Sequence, residues 1–239
     1  MPTGSDQRGF LRVCGSRTNR ICLIYEEFKT FNTMHEITIP FRQNRSLQLM
    51  VFWLVAIGIL TAIEPLYPLD WILENLLTCL FAALLVATHR RFRFSTLSYG
   101  CFTAFLTLHM IGAHYTYAQT PLGFWMEEWF GFSRNHYDRI VHFAFGLLFA
   151  VPTREVMVRI VGVPLRWSRF MAVTMVLALG AFYELLEMWT ELIVAPDLGD
   201  AYLGTQGDVW DAQQDIFLAL AGAMVTMVLG ALRKKVDSA

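Results

Sequence analysis

Acidic side chains recur at helical spacing between residues 183 and 215, in and beside segments that are apolar enough to lie in a membrane. At 100° per residue, Glu184, Glu187 and Glu191 fall within about 60° of one another on one helix face. Asp211 and Asp215 lie one turn apart on a second helix, and Gly222 lies on the same face, where a small residue allows close helix packing. Ionisable groups at membrane depth are costly, so a cation, shared protons or basic partners must compensate these charges. The stretch is therefore a candidate functional site.

A second polar set flanks a connection earlier in the chain. His109 and His114 stand near the end of one apolar stretch, and Asp138 and His142 are spaced i, i+4 at the start of the next. The topology predicted from the basic residues places both sets in the outer leaflet, so we expect them to converge in one pocket that opens to the outer side. The predicted lining residues are His142, Glu184, Glu187 and Asp215, with His114, Asp138 and Asp211 at the rim.

Two chemistries suit such a set, and a third interpretation needs none. Imidazole and carboxylate groups bind Zn²⁺, Mn²⁺ or Fe²⁺, and the candidate ligands are His114, His142, Glu184 and Asp215. Paired carboxyl groups could instead exchange protons as acid and base, and the candidates are His142, Glu184, Glu187, Asp215, Asp138 and Asp211. The third interpretation is a buried polar network that only locks the helices together. The sequence contains no HExxH, Walker, GxSxG or EF-hand motif that would name a reaction.

The composition is that of a membrane protein. Of 239 residues, 55% are hydrophobic and only 16% are charged, whereas soluble domains carry about a quarter charged residues. The formal net charge of −1 gives no sign of nucleic-acid binding. The four cysteines show neither metal-ligand spacing nor a disulfide framework.

Six apolar stretches predict an all-α integral membrane protein, a bundle of about six transmembrane helices. Leu-, Ala- and Phe-rich runs close to the 20 residues that span a bilayer favour helices over strands. The predicted spans are Leu47–Ile63, Leu69–Thr88, Phe94–Ala113, Tyr137–Val158, Arg169–Ile193 and Asp211–Leu232.

The distribution of Lys and Arg predicts the orientation. With a cytoplasmic amino terminus and six spans, 17 of the 19 basic residues fall on the cytoplasmic side, which leaves only Arg134 and Arg139 outside. Both termini are then cytoplasmic. Residues 1–46 are predicted to be a basic, largely disordered segment without a cleavable signal peptide, and residues 47–235 the membrane domain. Translation could start at Met1 or at Met34.

Four motifs carry a resemblance to a known family. HMIGAHYTYAQTP, RNHYDRIVHFAFG, YELLE and LGTQGDVWDAQQD together resemble the YjdF-type inner-membrane proteins, which are catalogued as a domain of unknown function. The resemblance covers about residues 40–235. It implies a multi-pass protein of the bacterial inner membrane and supplies no reaction.

The latter half more distantly resembles VanZ-like membrane proteins, which are linked to glycopeptide resistance and the cell envelope. Their Asp–His helix start and Glu-bearing helix match Asp138, His142 and Glu184, and their late Asp before a small residue matches Asp215. The chain departs from that pattern at Glu187, where the pattern has Gln, and at 219, where alanine replaces asparagine.

Three classes of function stay open on this sequence. The first is an enzyme whose outer-leaflet cluster acts on a lipid or another cell-envelope component. The second is a non-catalytic protein that binds or shields such a component, as the VanZ resemblance implies. The third is an ion or proton transporter, which the sequence disfavours because no helix is plainly broken at mid-depth and no internal repeat is visible. The bilayer is the expected partner in every case, and the oligomeric state stays open.

Overall fold

A computed structural model describes residues 40–193 and 205–237, with side chains described as far as residue 232. Within these residues the chain forms one 3₁₀ turn, Phe41–Gln43, and seven α-helices. The helices are α1 (Arg45–Thr61), α2 (Pro68–Thr88), α3 (Thr96–His114), α4 (Pro121–Phe130), α5 (Tyr137–Arg159), α6 (Leu165–Ile193) and α7 (Asp211–Asp237).

Each of the six predicted apolar stretches is helical, so the all-α class is confirmed. Of the described helices, four are long and apolar enough to cross a membrane, namely α2, α5, α6 and α7. Helix α1 is apolar but shorter, and α3 is not among the four. The number of six spans and the cytoplasmic position of both termini therefore stay predictions. The first 39 residues of the predicted disordered segment, 1–46, lie outside the described residues.

Helix α4 is missing from the predictions, which place only a connection between the third and fourth stretches. Pro121 occupies its first turn, where a missing N–H costs little, and Gly131 ends it with a φ of 68°. With ten residues the helix is too short to span a bilayer, so a search for membrane-length apolar segments passes over it.

Helix α5 is the centre of the bundle. It packs against α3, α6 and α7, while α1 and α2 pack against α3. A Cβ atom on Gly222 would overlap the backbone of Phe143, and one on Gly146 would overlap the carbonyl oxygen of Ala219. Helices α5 and α7 therefore touch backbone to backbone, as small residues allow in membrane bundles. The predicted close packing at Gly222 is confirmed.

Polar side chains collect at both ends of this bundle. The polar end is defined here by Asp138 and His142 near the start of α5, Glu184 in the second half of α6 and Asp215 near the start of α7. The opposite end is defined by Glu155, in the last two turns of α5. Because α5 runs from one end to the other, the two groups are separated by most of its length.

Candidate functional site

His142 is the hub of the polar end. Its Nε2 atom lies 3.4 Å from Oε1 of Glu184 and 3.5 Å from Oδ1 of Asp138. The Asp138 contact follows from the i, i+4 spacing, whereas the Glu184 contact joins two helices. The ring is buried, so these contacts form out of reach of bulk water. The predicted proximity of His142 and Glu184 is confirmed.

Asp215 completes a three-residue group that could hold a metal ion. One donor atom each from Asp138, His142 and Asp215 lies within 4.8 Å of the others. Asp215 is only 2% exposed, and among the described residues its Oδ1 has no hydrogen-bond partner. Buried polar atoms without partners are rare and costly, which points to a ligand that supplies the missing interaction. One nitrogen and two oxygen donors suit Zn²⁺, Mn²⁺ or Fe²⁺.

The histidines of α3 lie elsewhere. Nδ1 of His114 is 2.9 Å from the carbonyl oxygen of Thr61, a contact that joins the ends of α3 and α1. His109 uses both ring nitrogens, with Nε2 3.2 Å from the carbonyl oxygen of Glu74 and Nδ1 2.5 Å from the hydroxyl of Tyr117. Of the four predicted metal ligands, the three-residue group therefore includes His142 and Asp215, has Glu184 beside it and does not include His114.

A network on α2 and α6 was missed by the sequence predictions. The Tyr183 hydroxyl donates a 2.8 Å hydrogen bond to Oε2 of Glu74, a buried residue. Glu187 interacts with Glu184 and with Tyr183, so it links this network to the hub. The sequence signal that could have revealed it is the i, i+4 spacing of Asp70 and Glu74 in a helix with no other charged residue.

Three helices carry an acid in their first turn at the polar end. These residues are Asp70 in α2, Asp138 in α5 and Asp211 in α7. Asp70 is buried, and its Oδ1 finds no hydrogen-bond partner in the described parts of the chain. The polar end therefore holds more carboxyl groups than the Asp138–His142–Asp215 group itself needs.

Two arginines meet the outermost acids. Nη1 of Arg134 is 2.6 Å from Oδ1 of Asp211, and Nη2 of Arg139 is 2.5 Å from Oδ2 of Asp208. The hydrogen bond from the Trp210 N–H, with a smaller contribution from Arg139, holds the pKa of Asp208 below its usual value. Asp211, a predicted acid–base residue, is thus already paired with a permanent cation, and its role in proton transfer stays a prediction.

The segment before α7 is bound to the segment before α5 by a pair of reciprocal hydrogen bonds. The N–H of Asn135 donates to Oε1 of Gln206 at 2.9 Å, and Nε2 of Gln206 donates to the carbonyl oxygen of Asn135 at 2.9 Å. The Asn135 side chain is fully buried and also bonds Thr120, just before α4. A Cβ atom on Gly123 would overlap that amide. These contacts fix the starts of α4, α5 and α7 relative to one another.

A cavity of about 510 Å³ leads away from the polar end between α2, α3, α5 and α6. Most of its wall is aliphatic or aromatic, and most of its polar side chains belong to the hub and its neighbours. The polar lining residues are Thr78, His109, Tyr117, Asp138, His142 and Tyr183. Of the four predicted lining residues, His142 lines this cavity, whereas Glu184, Glu187 and Asp215 do not. The Asp138–His142–Asp215 group thus borders an apolar chamber.

The opposite end contains a carboxyl group in very different surroundings. Glu155 accepts hydrogen bonds from the Ser95 N–H and hydroxyl, each at 3.0 Å, and from the Ser98 hydroxyl at 2.5 Å. Arg159 pairs with it from the next turn of α5. These donors join the start of α3 to the end of α5, and the sequence predictions do not name this contact.

Comparisons with known proteins identify the class. The family described as "Predicted membrane protein (DUF2238)" matches residues 46–236, so the chain belongs to this family. The chain is similar to "Inner membrane protein YjdF" of Escherichia coli, with 40% identity over 178 residues, which cover 73% of this chain and 84% of that protein. The resemblance to YjdF-type proteins is therefore confirmed. No solved structure matches the chain.

Proposed function

We propose that this protein is a multi-pass enzyme of the bacterial inner membrane that acts at its polar end on a lipid or another cell-envelope component. The similar Escherichia coli protein is named as an inner membrane protein, and four helices here have membrane length. The 17-to-2 distribution of basic residues supports an outer position for the polar end. The observation that carries the proposal is the convergence of Asp138, His142 and Asp215 beside an apolar cavity.

The first element of this function is a divalent cation, Zn²⁺, Mn²⁺ or Fe²⁺, bound by Asp138, His142 and Asp215. A cation would satisfy the buried Oδ1 atom of Asp215 and offset the surplus of acids. When bound, such an ion supplies Lewis-acid chemistry or an activated water. Three protein ligands leave a coordination position for substrate, as in catalytic metal sites.

The second element is proton transfer through Glu184. Its Oε1 atom is 3.4 Å from His142 and lacks a hydrogen-bond partner within the described residues. A carboxyl group at this position can take a proton from, or return one to, a substrate held beside His142. Glu187 and the Tyr183–Glu74 pair lie behind it and can share the proton.

Transport of ions or protons has less support than catalysis. On α5, Ala150 lies between His142 and Glu155 and is fully buried in an apolar cluster with Val176 and Ala223. Side chains of this kind offer no hydrogen-bonded path from the polar end to the opposite end. The polar end therefore fits a one-sided reaction site better than a channel.

Elemental analysis of the detergent-purified protein tests the metal. We expect about one equivalent of Zn, Mn or Fe per chain, and a loss of metal affinity of at least about tenfold in Asp215→Asn and His142→Gln. Glu128→Gln, at an exposed position of α4, is the matched control and should keep the metal. Wild-type protein without metal, or equal metal content in all variants, would refute the metal site.

Turnover tests the reaction. Protein in nanodiscs is incubated with an envelope lipid extract, and loss of any component is followed by mass spectrometry. Wild-type protein should consume one component, and Glu184→Gln should slow this by about 10²–10⁴-fold while it keeps its metal and its unfolding temperature. A component that is bound by both proteins and consumed by neither would instead support the non-catalytic, VanZ-like function.

A further inference from the structure

The cavity beside the polar end has the chemistry of a hydrocarbon site with one polar mouth. Apart from Thr78, its wall away from the mouth is formed by side chains with no charged or hydrogen-bonding group, contributed by four helices. These include Leu77 and Phe81 of α2, Phe105 of α3, and Phe145 and Phe149 of α5. Apolar chambers of this kind exclude water and retain apolar ligands.

Its length matches one leaflet of a bilayer. The lining residues of α5 run from Asp138 at the mouth to Phe149, which corresponds to about 16 Å at 1.5 Å per residue. Half of the hydrocarbon core of a bilayer is about 15 Å thick. A chain that starts at the level of Asp138 would thus end near the midplane of the membrane.

Its volume is that of a pocket for one small ligand. At about 510 Å³, the cavity falls within the range of about 300–1,000 Å³ that is usual for such pockets. A single acyl chain is compatible with this space.

The cavity opens sideways between α2 and α6. Its rim includes Leu80 and Leu84 of α2 and Leu179 and Phe182 of α6, all of them exposed side chains on helices of membrane length. In the bilayer these side chains face lipid, so hydrocarbon chains are the molecules in contact with the opening. Entry from the membrane therefore requires no passage through water.

We infer that the cavity binds one acyl chain of a bilayer phospholipid from the leaflet of the polar end, with the polar part of that lipid held at Asp138 and His142. This deepens the proposed function, on which it rests, by naming the substrate class. The phosphodiester of such a lipid, beside the Asp138–His142–Asp215 group, would reach a bound cation. The acyl chain in the cavity would hold the phosphodiester in that position.

Photocrosslinking in a bilayer tests the chain site. The full chain is placed in nanodiscs of phosphatidylglycerol that contain a small fraction of phosphatidylglycerol with a diazirine halfway along one acyl chain. After irradiation, adducts are mapped by peptide mass spectrometry. We expect adducts on the α5 wall at Phe145 and Phe149, which are half-buried, line the cavity and pack against the core. Their absence from wild-type protein would overturn the inference.

A matched pair of variants on α6 makes the test specific. Leu179→Trp adds bulk to a rim residue that is 42% exposed and lines the cavity, whereas Leu185→Trp adds it at 43% exposure away from the cavity. The first should reduce the α5 adducts by at least about fivefold, an apparent loss near 1 kcal/mol, and the second should leave them unchanged. Equal adduct levels in the two variants would contradict the inference. Leu179→Phe replaces Leu179→Trp if the unfolding temperature of the latter drops.

Metal content measured in the same samples separates the two proposals. Adducts on α5 in a protein that binds no divalent metal would support the chain site and refute the metal site. A metal-loaded wild-type protein without α5 adducts would refute the chain site and leave the metal site supported. Asp215→Asn should lose metal and keep the α5 adducts, because Asp215 does not line the cavity.

Discussion

Glu155 and Asp215 are both almost fully buried, but they are surrounded by different groups. At the opposite end, Glu155 faces donors only, from Ser95, Ser98 and Arg159. At the polar end, Asp215 lies among other acids, and one of its oxygens has no donor in the described parts of the chain. The first arrangement is accounted for by folding alone. The second costs folding free energy, which supports the ligand site proposed at the polar end.

The two ends also differ in the ratio of acids to cations. Arg159 is one cation beside one carboxyl group, Glu155. At the polar end, Arg134 and Arg139 contact Asp208 and Asp211, on the outer side of the cluster. The inner acids have His142 as the basic side chain in contact with them. A divalent cation would bring this inner group closer to the balance seen around Glu155.

The largest expected effect is on folding at the opposite end. Glu155→Ala should lower the free energy of unfolding by about 3–5 kcal/mol, because it leaves the buried Ser95 N–H without its acceptor and the half-buried Arg159 without its carboxylate partner. Chemical denaturation in detergent measures this, with Glu128→Ala at an exposed site as the control. A loss below about 1 kcal/mol would remove the contrast between the two ends.

The next effect concerns the α5–α7 crossing, which sets the distance between His142 and Asp215. Gly222→Ala should cost about 1–3 kcal/mol of unfolding free energy and also weaken metal binding, because a methyl group forces the two backbones apart. Gly230→Ala, on the same helix, is the control, since a Cβ atom there meets no described atom within 4 Å. If both variants bind metal equally well, the crossing does not position the site.

A smaller effect of opposite sign is expected at Asp215. Without metal, Asp215→Asn should raise the free energy of unfolding by about 0.5–1.5 kcal/mol, because the new amide donates to neighbouring acids that lack donors. The measurement is denaturation in the presence of a chelator, beside Glu155→Gln as the matched isosteric change at the opposite end. Destabilisation of both variants to the same extent would mean that both carboxyl groups are structural.

The smallest effect is a pH dependence to which both ends contribute. The pKa of His136, beside the polar end, is lowered mainly by burial and further by the charges of Arg139 and Arg134. The pKa of His89, at the opposite end, is lowered mainly by burial and further by the charge of Arg93. The unfolded chain therefore binds more protons below about pH 6.5, so stability should fall as the pH drops from 6.5 through the folded pKa values. Melting curves between pH 7.5 and 5.5 measure this.

Two variants test which end of the bundle causes the change of stability with pH. His136→Gln should flatten the contribution of the polar end, and His89→Gln that of the opposite end. An unchanged slope in the double variant would show that other groups control it. Neither histidine belongs to the Asp138–His142–Asp215 group, so metal content serves as the internal control.

Helical periodicity and membrane topology allowed a large part of the polar end to be predicted. The pairing of Asp138 with His142 is a local consequence of i, i+4 spacing, and the meeting with Glu184 follows because charged stripes must face protein rather than lipid. The close contact at Gly222 follows from its place on the Asp211/Asp215 face. These relations depend on positions along a helix, which the sequence records.

The rest depends on how helices are rotated and how connections turn, which spacing along one helix does not encode. His114 lies at the end of α3, and its ring turns towards Thr61 of α1 instead of His142. The Tyr183–Glu74 bond joins residues 109 positions apart, so it appears only when α2 and α6 are docked. The cavity has the same origin, because it is the space left between four helices.

The acids in the first turns of α2, α5 and α7 have one more consequence. The peptide dipoles of a helix sum to about half a positive charge at its start, and here three such starts lie at the polar end. Asp70, Asp138 and Asp211 each place a negative charge where its own helix is positive. Side chains alone therefore overstate the negative potential of the polar end. Each of the three acids therefore stabilises the start of its own helix, by about 0.3–1 kcal/mol, even before any ligand binds.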